Sequence, residues 1–149
     1  MITKLQKLVA YSLWANRKIF QALVEHEVSD EKMINWAAHI LNAEELWMDR
    51  IEGRAGGVLP FQLRNKESLL PDLENLNKRF QKLLNSFSDE ELERTISYQD
   101  SRGNPYENEL SDLLFHMINH ETHHRSQIAA RLREQGISPP PTDYLYFIR

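Results

Sequence analysis

Apolar residues recur along most of this chain at intervals of three and four, the spacing of one face of an α-helix. They do so in four long blocks, separated by clusters of Gly, Pro and short polar residues. The first block predicts a helix from about Ile2 to about His26. The second follows "VSDEK", where Ser29 or Asp30 can act as the N-cap, and stops at Gly53. "GRAGGVLPFQ" then reads as a loop. A third helix, about Lys66 to Phe87, carries Leu69, Leu73, Leu76, Phe80, Leu83 and Leu84 on one stripe. "RTISYQDSRGNPYENEL" changes period, alternating Ile96 and Tyr98 with polar residues around "DSRGNP", which predicts a short hairpin or an extended crossover. The last long helix starts near Ser111 as N-cap and ends at Gly136, with Pro139 to Pro141 just beyond. The tail "TDYLYFIR" is too aromatic for a free end, so Tyr144, Tyr146 and Phe147 are expected to cover one end of the body.

Helices of these lengths span about 30–40 Å each. Four of them predict an all-α fold, a four-helix bundle with a longer crossover containing a short hairpin. The short turn between the first two makes them antiparallel neighbours. The 149 residues fit one domain, residues 1–149, large enough to bury a core.

Composition narrows the chemistry. A net charge of −4 opposes nucleic-acid binding, which needs a basic surface. The first twenty residues read as an amphipathic helix rather than a signal peptide, and no apolar run reaches the roughly 20 residues of a membrane span. A cytoplasmic protein is expected. There is no cysteine, so any metal must be held by nitrogen and oxygen donors.

The histidines supply such donors. With His120 as the zero direction on its helix, Leu113, His124, Met117 and Ile128 lie within about 80° on the same side. His120 and His124 therefore interrupt a core-facing apolar stripe. His116 and His123 fall on one flank of it and Glu121 on the other. On the second helix His39 shares its face with Trp36, Ala43 and Trp47. One inward histidine is ordinarily a hydrogen-bonded core residue. Three are harder to satisfy, because each buried polar group left without a partner costs about 1–3 kcal/mol. A divalent metal resolves all three, since neutral imidazole is a favoured donor.

His120-Glu121-Thr122-His123-His124 also satisfies H-E-x-x-H, the zinc-protease signature. The metzincin continuation needs Gly at 127 and His at 130, where this chain has Gln127 and Ala130, and only Asp143 approaches the acidic third ligand of other zincins. A di-iron bundle needs two Glu-x-x-His motifs, and only Glu121 to His124 provides one. What remains is one mononuclear site of His39, His120 and His124, with positions left open for water or substrate. Candidate proton-handling residues are Glu121, His116 and His123, although each also fits a supporting or solvated role.

"YSLWANRKIF", "HILNAEELWMDRI" and "HMINHETHHRSQIAARLREQGISPPPTD" together resemble the DinB family of metal-dependent bundle proteins, over most of the chain. The resemblance implies a four-helix bundle with a three-histidine metal site at His39, His120 and His124. The family often reads H-H-R-G-Q, and Ser126 stands here in place of the glycine. Members of the wider superfamily include transferases and isomerases that use bacillithiol or mycothiol, and dimers are common. The expectation is a divalent-metal enzyme, with Zn, Ni, Fe or Mn as the ion. It would act on a small molecule as a thiol-dependent S-transferase, with a low-molecular-weight thiol, or as a hydrolase. A non-catalytic metal- or ligand-binding dimer is the alternative. Phe115, Ile118 and Ala129 on the fourth helix and Ile34, Leu41 and Met48 on the second lie away from the histidine stripe, which suggests a homodimer.

Overall fold

A computed structural model describes residues 1–149. Helix α1 runs over Ile2–Glu25 and buries Leu5, Val9, Ile19 and Leu23 at helical spacing, with Ser12 and Asn16 among them. It ends in a turn at Glu27, whose φ of 50° is left-handed. Asp30 then caps α2 (Glu31–Glu52) by accepting from the Lys32 amide at 3.0 Å. Gly53, at φ 67°, closes α2 in the left-handed conformation that a side chain disfavours.

Residues 54–65 run back along the bundle without regular structure. Arg64 fastens this segment, donating to Asn42 at 2.7 Å and to Glu45 and Asp72 at 2.8 Å each. A 3-10 turn at Lys66–Ser68 leads into α3 (Leu69–Asn85). The regular helix is thus shorter than the expected 66–87. Its start is a tighter turn, and Ser88 and Glu91 form a reciprocal capping box that begins a new turn after its end.

The crossover is the expected hairpin. Strands β1 (Thr95–Gln99) and β2 (Pro105–Glu109) pair antiparallel, with Tyr98 opposite Tyr106. β2 passes directly into α4 (Leu110–Glu134), whose N-cap is Glu109. Ser111 does not cap it, contrary to expectation: it lies in the first turn and donates its hydroxyl to the Glu109 carboxylate.

α1 packs on α3 and α4, and so does α2, which leaves α1 and α2 diagonal across the bundle. They are antiparallel as expected but are not side by side. Lys66 donates to the Val28 carbonyl at 3.0 Å, so α3 starts at the α1–α2 turn and runs parallel to α2. Arg131 pairs with Asp30 at 2.9 Å, so α4 runs antiparallel to α2.

This arrangement uses both apolar stripes of α2 within the chain. Leu41 and Met48 are fully buried and Ile118 nearly so, which removes them from the surface expected to hold a second copy; Phe115 remains exposed. The tail forms α5 (Tyr144–Ile148) on the flank of α1 rather than over an end of the bundle. Tyr144 and Phe147 pack on Tyr11, and Tyr11 donates to the Thr142 carbonyl at 2.8 Å. Tyr146 points to solvent, because a single helical turn can turn only part of its circumference inward. No helix is long and apolar enough to cross a membrane.

Candidate metal centre

Antiparallel packing of α2 against α4 brings together histidines eighty residues apart in sequence. His39 Nε2 and His124 Nε2 each lie 3.1 Å from His120 Nε2. The donor atoms of all three rings fall within 4.8 Å of one another. The rings meet edge to face rather than stacking, so their nitrogens converge.

Hydrogen bonds on the far side of two rings set their tautomers. His39 Nδ1 donates to the Pro60 carbonyl at 2.7 Å, which leaves Nε2 with a lone pair. His124 Nδ1 donates to Gln127 Oε1 at 2.7 Å, with the same result. His120 Nε2 has at most one hydrogen to share between the two. At least one contact therefore sets lone pair against lone pair unless a cation lies between them. A proton is a poor occupant. His120 is pushed down to about 3 by burial first and then by His124, His39, His116 and His123. Burial lowers His124 as well, with Gln127 opposing the shift. A divalent ion fits better. Nitrogens 3.1 Å apart subtend about 95° at an ion about 2.1 Å from each, within the range of ordinary coordination. The three histidines form a cluster that could hold such an ion.

The cluster opens on a cavity of about 440 Å³ whose walls include Lys32, Asn35, Trp36, His39, Phe61 and His124. Phe61 lies flat on the His39 ring, at 4.5 Å between centroids and 5° between planes. A larger cavity of about 630 Å³ lies between the C-terminal half of α2, the following loop and β1. None of the three histidines lines it, so size alone does not mark the site.

The DinB family profile matches residues 1–149. The chain belongs to the DinB family. It is similar to Protein DinB of Bacillus subtilis (strain 168), at 27% identity over 155 residues that cover 93% of this chain and 90% of that protein. A crystal structure of a DinB-like protein from Bacillus cereus superposes with a TM-score of 0.70 at 21% identity, over 89% of this chain and 91% of that one. That likeness concerns the fold, and it agrees with the bundle and its small hairpin.

Within this DinB bundle the other sequence candidates do not join the three converging nitrogens. His116 and His123 are exposed on α4. His116 packs on Trp47, and His123 lies beside His124. Glu121 turns away from the cavity toward α1. It is buried, accepts from the Ser12 hydroxyl and from Asn16 Nδ2 at 3.1 Å, and lies 3.7 Å from Arg125. Burial raises its carboxyl, against the opposing pull of Arg125, Ser12 and Asn16. Sequence reasoning missed this network, although Ser12 and Asn16 stand four apart on the apolar face of the first helix and signal it. It also missed Gln127, Pro60 and Phe61. Gln127 was legible as a polar residue three positions after His124. Pro60 and Phe61 come from an irregular segment and carried no periodic signal.

Proposed function

We propose that this protein is a metal-dependent enzyme with one divalent ion held by His39, His120 and His124, acting on a small molecule by thiol-dependent S-transfer or hydrolysis. The observation that carries the proposal is the convergence of three ring nitrogens beside an open cavity, two of them with lone pairs fixed inward. When bound, the ion supplies Lewis acidity toward a water or thiol reaching its open positions. The protein's own residues orient and exclude. Pro60 and Gln127 hold two rings in their tautomers, and Phe61 shields one face of His39. We assign Glu121 a positioning role. Its ties to α1 fix the rotation of the α4 turn that carries His120. With no cysteine in the chain, a sulfur nucleophile must come from a small-molecule thiol.

The test compares metal-loaded and chelator-stripped protein. Each is assayed for thiol addition to an electrophile with several low-molecular-weight thiols, and for hydrolysis of activated esters. Turnover restored by metal and absent from His120→Ala supports the enzyme reading. A metal-loaded protein inert across both panels favours a binding protein, and the exposed Phe115 then makes a homodimer the first assembly to test by light scattering.

A further inference from the structure

The cavity beside the histidines has a chemical character of its own. Its floor is two of the three ring nitrogen carriers, His39 and His124. Its apolar wall consists of Trp36 and Phe61. Phe61 is 80% exposed although one ring face is covered by His39, so its other face is free. An indole and a phenyl edge at the mouth of a polar site form an apolar wall suited to a flat ring.

The charge at the rim is equally specific. Lys32 lies two helical turns before His39 on α2, about 10 Å along the axis. Its ammonium sits 5.1 Å above the Trp36 ring, and no carboxylate pairs with it. Asn35, between them in sequence, adds an exposed amide. Glu31 also borders the cavity and opposes an anion, but three neutral imidazoles leave the full charge of a divalent ion uncompensated at the other end.

Resting on the metal reading above, we propose that this cavity takes a flat aromatic molecule bearing an anionic group. The ring lies against Trp36 and the edge of Phe61, on the same side of Phe61 as His39. The anionic group meets Lys32 at the rim, and a donor atom at the opposite end of the molecule faces the histidine cluster. Lys32 and Phe61 then set specificity without touching the ion.

The test uses the cobalt-loaded full chain and reads the visible absorption of the ion during titration with two probes, thiophenol and 4-mercaptobenzoate. They share a ring and a thiol and differ by one carboxylate, placed too far from the sulfur to chelate. Wild type should bind 4-mercaptobenzoate about tenfold more tightly than thiophenol, the effect of one ion pair at a partly enclosed site. Lys32→Gln should bring the two within about twofold while leaving thiophenol unchanged. Phe61→Ala should weaken both by about two- to tenfold with their ratio intact. Equal affinities in wild type, a ratio that survives Lys32→Gln, or probe affinities indifferent to Phe61→Ala would each overturn the inference. So would a Phe61→Ala protein that changes only from dimer to monomer, since that assigns the ring to a subunit contact. A cobalt spectrum that never develops instead removes the metal reading, and this inference falls with it.

Discussion

Glu44 is the residue whose surroundings make the sharpest demand. It is 2% exposed, and neither carboxyl oxygen has a hydrogen-bond partner in the protein. Burial pushes its carboxyl well above the usual range, Glu121 and Glu45 push it further, and Arg79 opposes them. A raised folded-state value means that the native chain keeps a proton the unfolded chain has released. Stability from this group is therefore fully present below the unfolded value near 4.5 and is lost as pH rises toward the folded value. Glu44→Gln keeps the shape of the neutral acid and cannot ionise. Urea unfolding at about pH 5 and about pH 8 should show the variant gaining on wild type at the higher pH by at least about 1 kcal/mol. A difference between the two proteins that stays constant with pH would contradict the assignment. Sequence periodicity showed His39, His120 and His124 facing the core, and it gave no reading of residue 44. It could not show which polar side chains find partners, because Glu121 finds Ser12 and Asn16 on a helix more than a hundred residues away.

Among the elements, the long helices were legible because each carries its own stripe and punctuation. Asp30 and Gly53 bound α2 as their chemistry requires. The start of α4 was misread at Ser111 because a serine beside a carboxylate can satisfy its hydroxyl there instead of capping. The tail is the element whose contribution is easiest to measure. Tyr144 and Phe147 cover Tyr11, Phe147 also meets Trp14, and the Thr142 carbonyl accepts from Tyr11. Removing residues 142–149 should cost about 1–2 kcal/mol and lower the melting temperature by about 2–8 °C. Since the tail lies on α1, metal content should not change. An unchanged melting curve would mean that these rings contribute no net stability.

At the scale of the whole molecule, the site depends on a topology that local sequence does not encode. The diagonal placement of α1 and α2 follows from residues 54–65 running back to the α1–α2 turn, which Arg64 and Lys66 secure. That path makes α2 the neighbour of α4 and carries Pro60 and Phe61 past His39. Two histidines one turn apart on α4 can occupy only one side of an ion, and α2 supplies the other. The resemblance named the same three residues, but only the fold accounts for their meeting. The most direct measurement is metal per chain after dialysis for wild type, His39→Ala and His123→Ala, with circular dichroism confirming that each is folded. Glu121→Ala is unsuited as the control because it would open a buried network. Wild type and His123→Ala should each retain about one equivalent. His39→Ala should be largely metal-free, since losing a direct donor costs more affinity than the roughly 10–100-fold typical of a supporting residue. A folded His39→Ala protein that still holds one tightly bound equivalent would contradict the three-histidine site.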